Sequence, residues 1–150
     1  MTDTERIVWG ALGGVAVYVV GQVLSKFFIE PLYEFRKTLG EVRFNLAFHA
    51  ATIHTPTGRT SDTSNAAAEA LMKNSCDLIA KLQAVPLYGL TRLISFGALP
   101  SRKAIEQASV QLRVLSTYTH ETGEKANASI EAINKYITSI VRLLRLSPMD

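Results

Sequence analysis

The nineteen consecutive uncharged residues from Ile7 to Ser25, IVWGALGGVAVYVVGQVLS, constrain this chain more than any other feature. As a helix rising 1.5 Å per residue they would reach about 28 Å, close to the ~30 Å of a bilayer's hydrocarbon core. Trp9 sits near one end, and Phe27, Phe28 and Tyr33 lie near or beyond the other, where aromatic belts form. A cleaved signal peptide fits poorly, because its apolar region runs about 7–15 residues and ends at a small-residue cleavage site. The preceding tail, MTDTER, also carries Asp3 and Glu5 rather than a basic run. A buried helix of a soluble protein fits poorly too, since each interior glycine costs such a helix roughly 1 kcal/mol. An uncleaved transmembrane span is the expectation.

Flanking charge sets the expected orientation. Only Arg6 precedes the span, whereas Lys26, Arg36, Lys37 and Arg43 follow it. The positive-inside bias counts Lys and Arg rather than net charge, so Glu30, Glu34 and Glu41 do not reverse it. The short N-terminus is expected outside and the bulk of the chain in the cytoplasm.

Small residues recur within the span. Gly10, Gly14, Gly21 and Ser25 fall within about 60° of one helix face. Gly10 with Gly14, and Gly21 with Ser25, form two small-x-x-x-small pairs on that stripe, the spacing that lets lipid-embedded helices approach closely. With one span in the sequence, the partner is expected to be another copy or another membrane protein.

The remainder patterns as helices. From Pro31 the positions Leu32, Phe35, Leu39, Val42, Leu46, His49 and Ile53 recur every third or fourth residue, as on the inner face of a bundle helix. Pro31 removes a backbone donor and is expected to kink the junction with the span. Residues 54–65, rich in Thr and Ser, have loop character. A second seam follows at Ala68, Leu71, Ser75, Leu78, Leu82 and Val85, interrupted by Pro86 and Gly89. A third runs through Ile105, Ala108, Leu112, Leu115 and Thr119, with Ser101 placed as N-cap and Gly123 as terminator. The fourth, Ile130, Ile133, Ile137, Ile140 and Leu144, is stopped by Ser147-Pro148.

Four seams joined by short connections predict an all-α chain. Residues 1–29 form a tail and single transmembrane helix, and residues 30–150 an up-down-up-down four-helix bundle. The second bundle helix must return toward the membrane, which brings residues 85–100, VPLYGLTRLISFGALP, to the bilayer surface. The expected interfacial residues there are Leu87, Tyr88, Leu90, Arg92, Leu93, Ile94 and Phe96, lying as a bent amphipathic segment. The alternative is that the segment caps the bundle core, and both roles are compatible. The same topology collects Lys26, Arg36, Lys37, Lys81, Arg92, Arg102, Lys103, Arg142 and Arg145 at the membrane end, nine of the sixteen basic residues. An anionic leaflet would favour each by about 1 kcal/mol.

Catalytic signatures do not emerge. There is no glycine-rich phosphate loop, no H-E-x-x-H and no G-x-S-x-G, and the single Cys76 forbids a disulfide framework. A net charge of +3 is too small to argue for nucleic acid. His49, His54 and His120 are expected at the membrane-distal end, near Asp62 and Glu121, but their spacings match no metal motif. The expectation is therefore a non-enzymatic, membrane-anchored interaction or scaffold module. It needs no cofactor or small-molecule substrate, and its partners are the bilayer and a second copy or another membrane protein. An oligomeric pore or membrane-perturbing effector is the first alternative, and a metal-dependent enzyme within the bundle the second.

Overall fold

The computed structural model describes residues 2–55, 62–94, 98–120 and 124–146. Among them every regular element is a helix: α1 (Asp3–Leu24), a π-helical turn (Ser25–Ile29), α2 (Glu30–Phe48), α3 (Ala50–His54), α4 (Asp62–Ala84), α5 (Tyr88–Ile94), α6 (Arg102–Tyr118) and α7 (Glu124–Leu143).

The start of α1 has a cause the hydropathy pattern hides. Thr2 and Glu5 stand three apart, and the backbone N–H of Thr2 donates to the Glu5 carboxylate at 2.9 Å, satisfying a donor the helix leaves free. Asp3 and Glu5 also place negative charge against the positive end of the helix dipole.

From Asp3 to Phe48 the chain is one helix of 46 residues, about 69 Å long. Pro31 does not break it. Proline has no N–H to give and its ring crowds the carbonyl four residues back. The turn before it widens instead, and the Glu30 N–H reaches the Ser25 carbonyl, five residues away. The boundary between anchor and bundle drawn from sequence at residues 29 and 30 thus lies inside a continuous helix.

Beyond the π turn, periodicity places the core. Phe35, Val42 and Leu46 of α2 and Ile53 of α3 are buried, with Leu32 and Leu39 packed beside them. His49 marks the seam's break: at φ −94° and ψ 10° it separates α2 from the single turn of α3. Leu71, Leu78 and Leu82 of α4, Ile105, Leu112 and Leu115 of α6, and Ile133 and Ile140 of α7 complete one hydrophobic cluster.

Polar contacts fix the helix directions. Lys81 Nζ lies 3.2 Å from the Glu34 carboxylate, and the Asn45 amide donates to Asn74 Oδ1 at 3.2 Å, so α4 runs antiparallel to α2. Ser64 donates to the Thr119 carbonyl and Ser75 to the Ser109 carbonyl, so α6 runs antiparallel to α4. The rings of Tyr118 and Tyr136, 6.0 Å apart, join α6 to α7. Ser101 caps α6 as its position suggests, accepting the Ala104 N–H at 3.1 Å.

Several boundaries differ from the sequence expectation. His54 and residues 62–65 are helical, which shortens the loop between α3 and α4. Gly89 lies within α5 and breaks nothing. Ile130 is 37% exposed and does not belong to the α7 seam. Helix α7 ends before Ser147-Pro148, by a Schellman turn: Arg145 takes the left-handed conformation at φ 55°. The N–H groups of Arg145 and Leu146 then return to the carbonyls of Arg142 and Val141. Gly123 and Phe96 lie outside the described residues.

Candidate membrane anchor and interfacial rim

No residue of α1 is buried against the rest of the chain, although its most apolar stretch has a mean hydropathy of 1.9. By length and composition this one helix, among the described residues, suffices to cross a membrane. Its stripe of small residues is uncovered: a Cβ built on Gly10, Gly14 or Gly21 meets no other atom within 4 Å. Ser25, the fourth member, is half-buried in the first residue of the π turn. The two longest polar side chains of this apolar stretch satisfy each other one turn apart, with the Gln22 amide donating to the Tyr18 hydroxyl at 3.2 Å. Trp9 at one end and Phe27, Ile29 and Tyr33 at the other are exposed.

At the opposite end of α4 the chain turns through Val85, Pro86 and Leu87 into α5. Leu87 carries φ 49°, a left-handed conformation that a branched side chain adopts only at a cost of about 1–2 kcal/mol. The segment has two faces. Tyr88 points inward, packs edge-on against Phe35 at 5.8 Å, and donates its hydroxyl to the Pro100 carbonyl at 2.8 Å. Burial pushes its phenol up to about 12, with the nearby Arg92 charge opposing the rise. Val85 and Leu99 are buried beside it. Leu87, Leu90 and Leu93 point outward at 66%, 50% and 74% exposure. Arg92 is half-buried, and its Nε donates to the Leu99 carbonyl at 3.3 Å.

Of the seven residues expected at the interface, Tyr88 is therefore a core cap. Its ring and hydroxyl find partners inside the protein, which an interfacial tyrosine would seek in headgroups. Leu87, Leu90 and Leu93 form the outward rim, Arg92 is held back at its edge by the Leu99 carbonyl, Ile94 closes α5, and Phe96 is not described. The signal that separates the two faces was present in the sequence, because Leu87, Leu90 and Leu93 recur every three residues and Tyr88 does not.

A surface the sequence reading missed lies on α2. Phe44 and Phe48 are exposed and stacked, with centroids 5.4 Å apart and planes at 17°. Phe44 borders an open groove of about 640 Å³ lined also by Gly40, Arg43, Ala47, His54 and Ile137. The period of four from Gly40 through Phe44 to Phe48 marked this stripe, hidden behind the stronger inward seam of the same helix.

The histidines do not assemble. The His49 ring stands edge-on to Phe48 at 5.0 Å, His54 lines the α2 groove, and His120 Nδ1 lies 3.4 Å from Ser64 Oγ. Among the described residues no three His, Cys, Asp or Glu side chains could share a metal ion. Cys76 is exposed on α4. Comparison with known protein families, with curated proteins and with solved structures finds no match to this chain.

Proposed function

We propose that the chain is a single-pass, membrane-anchored interaction module. In this reading α1 spans the bilayer, and α2 to α7 form an up-down-up-down four-helix bundle on the cytoplasmic side. The Gly10, Gly14, Gly21 and Ser25 stripe packs against the same stripe of a second copy or against a partner's span. One observation carries it: a 22-residue apolar helix with no buried residue. A soluble monomer rarely leaves a contiguous apolar surface beyond a few hundred Å² uncovered. A bilayer supplies the missing apolar surroundings. The open space over the glycines supports the association, since in lipid a close backbone approach must provide attraction that apolar bulk does not. The orientation rests on the Lys and Arg that follow the span.

The test replaces Gly14 and Gly21 together by leucine. The substitutions raise hydrophobicity while filling the groove, so membrane retention should persist as association falls. Val15→Leu with Val19→Leu, on other faces, is the matched control. In-membrane FRET at equal expression should show several-fold less association for the glycine pair and little change for the control. Association equal to wild type would reduce the stripe to composition.

A further inference from the structure

We infer that α5 is a second membrane contact, seated in the headgroup layer of an anionic leaflet with its Leu87, Leu90 and Leu93 face turned into the lipid. The inference rests on the reading of α1 as a span. Three independent features point to lipid as the occupant of this face.

The first is height. Lys81 is level with Glu34 and Asn74 with Asn45, so α4 descends toward α1 as its numbers rise. Its end at Ala84 therefore lies near residues 31–34 of the long helix, and the contact of Tyr88 with Phe35 holds α5 there. Phe35 is six residues past Ile29, about 9 Å along the helix from the last apolar turn of the span. The polar layer on each side of a bilayer is several ångströms deep, and an interfacial helix buries its apolar face about 5–10 Å into that boundary. The exposed leucines fall in this zone.

The second is rigidity. The inward face of α5 is locked by the Tyr88 hydroxyl on Pro100 and the Arg92 guanidinium on Leu99. The leucines are therefore held outward, and the left-handed Leu87 is maintained against its own preference.

The third is charge. Arg92 and Arg102 line an open groove of about 520 Å³ with Leu87, Gly89 and Leu90, a guanidinium pair beside an apolar wall. Lys103 is the next residue of α6, and Lys26 lies in the π turn at the same end. Glu34 pairs with Lys81 and Glu106 with Arg102; Glu30 is also exposed at this end, where Lys26, Arg36, Lys37, Arg92 and Lys103 outnumber it. This arrangement complements a phospholipid phosphate with its acyl chain alongside. A neutral protein groove would match only the apolar half of it.

The experiment uses the full chain in vesicles, with Cys76→Ser removing the exposed native thiol. Single cysteines are introduced by Leu93→Cys on the rim, Val110→Cys on exposed mid-α6, and Val15→Cys in the span, each carrying an environment-sensitive fluorophore. All three positions are exposed in the protein, so the substitutions leave the core intact. In phosphatidylcholine mixed with phosphatidylglycerol, the Leu93 label should be quenched by spin-labelled lipid and shielded from iodide several-fold relative to Val110. The shielding should fall in pure phosphatidylcholine, and with Arg102→Gln and Lys103→Gln together. A Leu93 label as open to iodide as Val110, with Val15 shielded, overturns the inference while leaving the span standing; the face would then await a protein. Equal shielding in both lipid mixtures overturns the anionic preference. A Val15 label open to iodide overturns the span itself.

Discussion

The crossing of α4 and α6 depends on two buried serines, and their replacement gives a quantitative test of how the bundle is held. Ser75 Oγ donates to the Ser109 carbonyl at 2.9 Å and Ser109 Oγ donates to the Ser75 carbonyl at 3.0 Å, with the two oxygens 3.0 Å apart. Each acceptor is backbone, so Ser75→Ala removes one bond and leaves the other in place. The net contribution of one such bond is about 0.5–1.5 kcal/mol, and Ser75→Ala and Ser109→Ala should each cost about 1 kcal/mol. The double variant should cost close to the sum, with a coupling of roughly 0.5 kcal/mol from the oxygen–oxygen contact. Bulk is the larger effect. Serine lets the helices meet closely, and Ser75→Val both loses the bond and overfills the site, for about 2–4 kcal/mol in all. Urea unfolding of the full chain in mild detergent, followed by far-UV circular dichroism, measures these values. Trp9 is on α1, so tryptophan fluorescence would not report on the bundle. A Ser75→Val variant as stable as Ser75→Ala would show that the helices are not in close contact there and refute the reasoning.

Three further outcomes follow from the packing. Ile133→Ala or Ile140→Ala should each cost about 2–5 kcal/mol, since both side chains are fully buried, whereas Lys135→Ala on the exposed face should stay within about 0.5 kcal/mol by the same unfolding assay. The raised pKa of Tyr88 favours the neutral phenol in the folded state, so its contribution is complete below about pH 10 and falls as pH rises from there to about 12. Stability over that window should drop more steeply in the wild type than in Tyr88→Phe; parallel slopes would contradict the buried phenol. Leu87→Gly relieves the left-handed strain at φ 49° and should raise stability by up to about 1 kcal/mol in detergent, and a loss of more than that would show that the leucine packs inward.

What was legible in the sequence was what repeats. The inward seams of α2, α4 and α6 follow from residues recurring every third or fourth position, and Ile105, Ala108, Leu112, Leu115 and Thr119 are all buried as that spacing requires. The Ser101 cap was legible because capping needs one side chain at one place. Features that depend on the backbone answering a tertiary demand were not. Arginine at 145 and leucine at 87 do not announce left-handed conformations, for glycine or asparagine is the residue that does. Ile130 continues the period of its helix and yet is exposed, because a seam is buried only where a neighbour reaches it. Within the rim, the leucines were legible as apolar residues in an odd place. That Tyr88 stands off their period was legible too, but not what holds it inward, Phe35 on one side and the Pro100 carbonyl on the other.

The π turn ahead of Pro31 acts as an angular offset between α1 and the helices packed on α2. At about 100° per residue, an uninterrupted α-helix would point Leu32, Phe35, Leu39, Val42 and Leu46 within about 40° of Gly10. The bundle and the glycine stripe would then claim the same side of one rod. The extra residue taken up between Ser25 and Ile29 rotates everything after it by about 100°, which swings those core residues away. The same rotation brings Gly40 and Ala47, both exposed, into line beneath Gly10, Gly14 and Gly21. One line along the long helix thereby holds the small residues of α1 and then, past Tyr33 and Arg36, those of α2, with the helices that pack on α2 to one side of it. Removing a single residue from the turn would set that line and those helices in competition for one face.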